Sequence, residues 1–106
     1  MLKTCTVKLV GGNKYQRLLK EGIDTQNLKS GHVILNSGES VGAHETENKE
    51  EIIVILEGKA EIMCESSDSI HAESNSVVYI PPETVHDVRN IGTGKLRYVY
   101  VVSMIK

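Results

Sequence analysis

Three side chains of this sequence are of the types that bind a divalent metal ion: His44, Glu51 and His86. Glu51 begins an alternating stripe with Ile53 and Ile55, so a strand over this segment turns all three toward the protein interior. A carboxylate in such a place is costly unless a cationic group pairs with it, and a metal ion or a positively charged ligand would be that partner. First-row metals accept imidazole and carboxylate groups that converge from different strands. These residues therefore point to metal binding.

The histidines also have a simpler interpretation. His86 shares one strand face with Val88 and Asn90, and a single histidine on such a face is usually a core residue hydrogen-bonded to the backbone. Here two histidines and one carboxylate arise from strands that a barrel can bring together, which favours a shared site. His32 and His71 lie outside this pattern and are predicted as surface or strand-edge residues.

Short β-strands separated by turns must position these residues. Pro81-Pro82, for example, ends one strand, because proline cannot donate to a ladder. Many short strands at near-even spacing are typical of a sandwich or barrel, so the predicted fold class is all-β. The segment 15–28 is the exception and is predicted as a short helix or turn that ends at Gly22. The predicted strands are residues 4–10, 32–36, 51–57, 60–65, 70–72, 77–80, 85–91 and 96–104.

Composition bounds the class of protein. A chain of 106 residues is one domain by length, divided here into an N-terminal strand or arm at 1–30 and a barrel at 31–106. The net charge of −2 argues against nucleic-acid binding, which usually needs a basic face. No apolar run approaches the roughly 20 residues that span a bilayer. We therefore expect a cytoplasmic protein with no nucleic-acid or membrane partner, and Cys5 and Cys64 as reduced thiols.

Two segments, 52–56 and 99–102, are apolar at every position. A strand with one face in solvent alternates, so both faces of these strands are expected to be covered. One face would point into the barrel and the other would pack on a second copy of the chain, which predicts a homodimer. The alternative cover is intramolecular, by residues 1–28.

The segment around His44 resembles the first signature motif of the cupin superfamily. That motif is a glycine, five residues, His-x-His, three or four residues, a glutamate, six residues and a glycine. Gly38, His44, Glu51 and Gly58 fall in place, and Thr46 stands where the motif has its second histidine. The last interval selects Glu51, rather than the glutamate before it, as the family's carboxylate.

The segment around His86 resembles the second cupin motif, in which a proline, a histidine and an asparagine follow a glycine. Pro81, His86 and Asn90 match it, whereas Asn75 and Glu83 stand where the motif has glycine. Asparagine tolerates the left-handed backbone that glycine often serves, so Asn75 is a mild change. Glu83 is a harsher change and predicts a different turn. The resemblance covers residues 31–102.

The resemblance implies a double-stranded β-helix (jelly-roll) barrel with an N-terminal arm. The resemblance also implies the metal site of metal-binding cupins, which has three histidines and one glutamate. Of these four ligands, this chain retains His44, Glu51 and His86. Such a set accepts zinc, iron, nickel or manganese and leaves coordination positions open. Thr46 and Tyr100 are predicted to contact ligand or water. The alternative is a lapsed site that holds only water or an organic ligand.

Three functions stay open at this stage. The first is a metal-binding cupin that binds or transforms a small organic molecule in the barrel. The second is a non-catalytic ligand-binding or sensor module with a degenerate metal site. The third is a structural dimer without ligand, against which the inward Glu51 argues, because an unpaired buried carboxylate is expensive. Tyr79 and Tyr98 are predicted as core or interface residues.

Overall fold

The computed structural model describes residues 2–105 of the chain. These residues contain nine β-strands, joined by turns and loops, and no helix. No segment of these residues is a helix long and apolar enough to cross a membrane. The prediction of an all-β chain of short strands is confirmed. The strands are β1 (Tyr15–Leu19), β2 (Leu28–Leu35), β3 (His44–Glu45), β4 (Lys49–Glu57), β5 (Lys59–Cys64), β6 (Ile70–Glu73), β7 (Ser76–Ile80), β8 (Val85–Asn90) and β9 (Leu96–Met104).

Two predictions near the N-terminus are wrong. The segment 15–28 begins with strand β1 and contains no helix, because β1 pairs antiparallel with β2 and this tertiary pairing overrides the local pattern. The alternative of a turn holds only for residues 22–24, after β1. Residues 4–10 form no strand, because no neighbouring strand pairs with them. Their backbone is held instead by the Gln16 amide, which accepts from Val10 N at 3.0 Å and donates to Lys8 O at 3.0 Å.

Two antiparallel sheets face each other and enclose the core. The five-stranded sheet has the order β1-β2-β9-β4-β7, and the four-stranded sheet has the order β3-β8-β5-β6. The two sheets do not close into a complete barrel. The core between them is built from aliphatic side chains and one tyrosine: Val33, Leu35, Ile53, Ile55, Ala60, Ile62, Val78, Ile80, Val88, Leu96 and Tyr98.

The inward stripe of β4 is confirmed. Glu51 is 7% exposed, Ile53 and Ile55 are fully buried, and the intervening Ile52 is 39% exposed. Glu51 lies opposite Val102 of β9 in the sheet. The carboxylate of Glu51 thus lies at one end of the core, on the face of its sheet that is turned toward the four-stranded sheet.

The turns explain how the chain tolerates its departures from the cupin motifs. Asn75 and Glu83, which replace motif glycines, both adopt left-handed backbone, with φ of 70° and 57°. The buried Asn90 also serves a turn, because its amide donates to Leu35 O at 3.0 Å and to Gly94 O at 2.9 Å. Asn75 and Glu83 thus both adopt a backbone conformation that glycine tolerates best.

Candidate metal centre

The side chains of His44, Glu51 and His86 converge between the two sheets. Each offers one ligand atom, and these atoms all lie within 4.8 Å of one another. His44 of β3 and His86 of β8 are direct partners in the four-stranded sheet, and their ring centroids are 4.4 Å apart. Glu51 reaches them from β4 in the opposite sheet. The structure therefore brings together the three residues that the sequence predicted as metal ligands.

Both imidazole rings are anchored through the same nitrogen. His44 Nδ1 lies 3.1 Å from Gly42 O, and His86 Nδ1 lies 3.3 Å from Thr84 O. A carbonyl oxygen can only accept, so each Nδ1 donates its hydrogen. The neutral ring then keeps its lone pair on Nε2, the arrangement found in histidines that bind metal ions.

The Nε2 atom of His86 has no hydrogen-bond partner although it is fully buried. It lies 3.2 Å from Oε1 of Glu51, close enough for an ion pair but in an orientation that makes no hydrogen bond. Burial lowers the pKa of His86, the Glu51 carboxylate and the Thr84 carbonyl raise it, and the net direction is upward. A buried polar atom without a partner is costly. A divalent cation between these atoms would satisfy the lone pair and offset the carboxylate charge, so the residues present fit a metal ion.

Thr46, which stands where the cupin motif has a further histidine, is buried. Its hydroxyl donates to Pro81 O at 2.7 Å and accepts from Thr84 N at 3.0 Å. The side chain thus joins the segment that follows β3 to the turn before β8. One lone pair of the hydroxyl is left over for the predicted contact with ligand or water, which stays a prediction.

A cavity of about 230 Å³ adjoins His44 and Glu51, two of the three converging side chains. Its walls combine aliphatic groups with charged and hydroxyl groups. Sequence reasoning did not assign Tyr15, Lys29, Glu45 or Lys49 to this cavity. Strand parity offered a signal for Lys49, because it precedes Glu51 by two residues and therefore shares its face. The lining residues are Tyr15, Lys29, Val33, Val41, His44, Glu45, Thr46, Lys49, Glu51, Val88, Tyr98, Tyr100 and Val102.

A pair of stacked tyrosines forms one wall of this cavity. The rings of Tyr15 and Tyr100 have centroids 6.4 Å apart, and their hydroxyl oxygens are 2.8 Å apart. Both rings pack on the backbone of β2 at Gly31. A Cβ atom at this position would lie 2.7 Å from the Tyr100 hydroxyl and 2.7 Å from a Tyr15 ring carbon. The absence of a side chain at Gly31 thus makes room for the tyrosine pair.

The remaining histidines and tyrosines divide between interior and surface. The prediction for His32 is wrong: this residue is 1% exposed, and β2 is not an edge strand, since it pairs with a strand on each side. His71 is exposed on the edge strand β6, as predicted. Tyr98 is a core residue, also as predicted. Tyr79 is 53% exposed and donates to Glu50 Oε1 at 2.7 Å.

Comparison with solved structures shows the fold of a cupin. The chain matches the Cnp3 cupin domain of Schizosaccharomyces pombe with a TM-score of 0.76 and 20% identity, over 85% of this chain and 63% of that one. It matches a predicted oxalate decarboxylase from Thermotoga maritima with a TM-score of 0.78 and 22% identity, over 86% and 79%. An RmlC-like cupin family protein with a double-stranded β-helix fold, from Methanocaldococcus jannaschii, matches with a TM-score of 0.76 and 20% identity, over 92% and 87%.

Comparison of sequences gives the family. No curated protein matches the chain. The family model described as "Cupin domain" matches residues 31–102, which contain all three converging side chains. Since this match covers well over half of the sequence, the chain belongs to the cupin family.

Proposed function

We propose that this chain binds a divalent metal ion through His44, Glu51 and His86 and a small organic molecule in the adjoining cavity. The observation that carries the proposal is the buried, unpartnered Nε2 of His86 beside the buried Glu51 carboxylate. Zinc, iron, nickel and manganese all accept two imidazoles and one carboxylate. When bound, the ion would act as a Lewis acid that polarises an oxygen of the ligand.

We further propose that the chain catalyses a reaction of that molecule. The Thermotoga maritima protein is described as a predicted oxalate decarboxylase, which acts on a small organic acid. That likeness supports a small organic molecule as ligand of this chain. The residues of the chain would hold the ion, exclude water with the aliphatic wall and orient the molecule through the tyrosine and lysine side chains of the cavity.

Ligand binding without turnover is the second candidate function. It is favoured by Thr46, whose hydroxyl is bonded to Pro81 and Thr84 rather than turned to the ligand atoms of the site. A site with one histidine fewer binds its ion less firmly. Product formation from a candidate substrate separates the two functions, because a binding module gives a ligand-dependent rise in melting temperature and no product.

Metal content of the purified, untagged protein tests the proposal. The wild type is compared with His86→Ala and with His71→Ala, in which an exposed histidine outside the site is removed. We expect near-stoichiometric metal, after incubation with iron, zinc, nickel and manganese, in the wild type and in His71→Ala. We expect its loss in His86→Ala. Equal metal content in all three proteins would show that the ion binds elsewhere.

The outer face of the five-stranded sheet is the surface that we assign to a second copy of the chain. Two rows of apolar residues cross three adjacent strands there: Val77–Val54–Val99 and Tyr79–Ile52–Val101. Val77 is 68% exposed and Ile52 is 39% exposed. Contiguous apolar patches of this kind usually mark an interface. A second copy suits the patch because a flat apolar sheet face can pack on itself about a two-fold axis, with the sheets about 10 Å apart.

Sedimentation velocity of the wild type, Val77→Lys and Ile70→Lys tests this assignment. Ile70 is 45% exposed but lies on β6 of the other sheet, so its substitution is a matched control. We expect a dimer for the wild type and for Ile70→Lys. We expect a monomer for Val77→Lys, because a buried ammonium would face an apolar surface. A monomeric wild type, or a dimeric Val77→Lys, would contradict the assignment.

A further inference from the structure

The cavity beside the candidate metal centre is rich in hydrogen-bond donors. Besides aliphatic groups, its lining includes two lysines, Lys29 and Lys49, and the hydroxyl groups of Tyr15 and Tyr100. The acceptor groups are fewer: Glu45 is exposed at the rim, and the carboxylate of Glu51 faces His86. A lining of this kind selects a ligand that mainly accepts hydrogen bonds.

Lys29 stands on the same rung of the sheet as Glu51. Both residues are opposite Val102 of β9, one from each side, so their Cα atoms are two strand spacings or about 10 Å apart. A lysine side chain extends over most of that distance. The ammonium group of Lys29 can therefore contact a ligand whose other end lies at the metal centre.

Lys49 approaches the same space from the start of β4. It precedes Glu51 by two residues, shares its strand face and is partly buried. Within residues 2–105, neither Lys49 nor Lys29 forms a salt bridge with a carboxylate. Two ammonium groups that form no salt bridge thus line one small cavity. Together with a metal ion that offsets Glu51, they would favour an anionic over a cationic organic ligand.

The tyrosine pair adds a neutral donor. One hydroxyl hydrogen lies between Tyr15 and Tyr100, and the other is left over for a ligand. Burial, followed by the hydrogen bond to Tyr15, raises the pKa of Tyr100 above its ordinary value. Tyr100 therefore keeps its hydrogen near neutral pH, and the pair can donate one hydrogen bond to an oxygen of the ligand.

The aliphatic wall and the size of the cavity restrict the anion further. Val33, Val88 and Val102 give apolar surface for a carbon skeleton. The volume of about 230 Å³ is below the range of roughly 300–1,000 Å³ of sites for drug-sized ligands, so the ligand is small. An inorganic anion would leave the apolar wall without a partner.

We propose that the ligand of this cavity is a small organic carboxylate, held by Lys29, Lys49 and the Tyr15–Tyr100 hydroxyl pair. This inference rests on the proposed function, because the open side of the ion would be the second contact of the ligand. With the ion in place its charge offsets that of Glu51, and the lysines make the cavity net positive.

Calorimetric titration of the metal-loaded protein tests the carboxylate class. The probes are acetate, malonate and succinate, with malonamide as the uncharged counterpart of malonate and inorganic phosphate as the competing anion. We expect at least one carboxylate to bind saturably, and malonamide and phosphate to bind about tenfold more weakly or not at all. Malonamide as tight as malonate, phosphate tighter than every carboxylate, or no saturable carboxylate binding would overturn the proposal.

Lysine variants identify the binding groups and separate this inference from metal binding. In Lys29→Gln and in Lys49→Gln we expect about tenfold weaker carboxylate binding with unchanged metal content, because neither lysine is a ligand of the ion. Lys20→Gln, at an exposed lysine in the turn after β1, is the matched control and should bind as the wild type. Unchanged affinity in both cavity variants would overturn the proposal. If the wild type binds no metal, the proposed function fails. The lysine assignment then stands only if the metal-free protein still binds malonate more tightly than malonamide.

Discussion

Oε1 of Glu51 lies 3.2 Å from Nε2 of His86, and both residues are buried. This contact joins the two sheets at the mouth of the core, since Glu51 belongs to β4 and His86 to β8. It places one negative charge next to a lone pair that has no hydrogen-bond donor. A divalent cation between the two atoms would satisfy both, so we expect metal binding to depend on the charge of Glu51.

Glu51→Gln should abolish the stabilisation by metal ions without unfolding the protein. The amide keeps the size of the carboxylate but removes its charge. Substitution of a residue that only hydrogen-bonds to a metal ligand weakens metal binding by ~10–100-fold, and we expect at least this loss for a direct ligand. Melting temperature with and without added metal measures the effect. Glu50→Gln is the matched control, because Glu50 lies next in the chain but contacts Tyr79 on the opposite sheet face. A metal-dependent shift in Glu51→Gln equal to that of the wild type would contradict the prediction.

The effect of Gly31→Ala on the free energy of unfolding should change sign when Tyr15 and Tyr100 are removed. In the wild type the new Cβ meets the rings of Tyr15 and Tyr100, and we expect a loss of about 1–3 kcal/mol in the free energy of unfolding. In a Tyr15→Ala, Tyr100→Ala background the space is open. The same substitution should then stabilise by about 0.4–1 kcal/mol, because alanine restricts the unfolded chain. Urea denaturation of the four proteins measures both values, and an equal loss in the two backgrounds would show that the tyrosines are not the obstacle.

Glu83→Gly should raise the stability of the protein. Glu83 is exposed and adopts φ of 57°, a conformation that costs an L-residue about 1–2 kcal/mol, whereas glycine costs roughly 0.5–1 kcal/mol in entropy. We expect a net gain of about 0.5 kcal/mol in the free energy of unfolding by urea denaturation. Asn75→Gly, at φ of 70°, should gain less, because asparagine tolerates this region better. A loss of stability in Glu83→Gly would mean that the glutamate side chain compensates for the strain.

The convergence of His44, Glu51 and His86 could be predicted from the sequence, because it follows from strand parity and spacing. Glu51 begins an alternating stripe, and the intervals to Gly38 and Gly58 place it against His44 by resemblance to the first cupin motif. The placement of His86 beside these two residues followed from resemblance to the second cupin motif. These relationships are local or follow motifs that the sequence resembles, so one sequence contained them.

Other features depend on pairing between distant segments, and one sequence does not contain that information. Tyr15 lies in a stretch that suits a short helix as well as a strand, and only pairing with β2 selects the strand. Lys29 is of a residue type usually found in solvent, and its place in the cavity follows from its register with Val102. His32 was predicted at the surface because nothing in its neighbourhood indicates that β2 lies between β1 and β9.

The buried His32 should make the protein less stable as the pH falls. Burial, and then the positive charge of Arg97, lower the pKa of His32 below 6.5. Arg97 Nε donates to His32 Nε2 at 3.3 Å, and Arg97 also pairs with Glu57 at 3.4 Å, so a protonated His32 would face the arginine without a carboxylate of its own. The unfolded chain therefore takes up a proton near pH 6.5 that the folded protein does not take up until lower pH. Stability from the neutral ring is fully present above pH 6.5 and is lost progressively as the pH falls from 6.5 through the lower pKa of the folded protein.

Urea denaturation of the metal-free protein between about pH 8 and pH 5 measures this dependence. In His32→Gln the amide oxygen can still accept from Arg97, and no group titrates at this position. We expect the wild type to lose stability relative to His32→Gln as the pH falls below 6.5, because the other histidines contribute equally to both proteins. His71→Gln, at an exposed histidine, should follow the wild type. Parallel stability curves for the wild type and His32→Gln would mean that His32 takes up its proton equally in the folded and the unfolded chain.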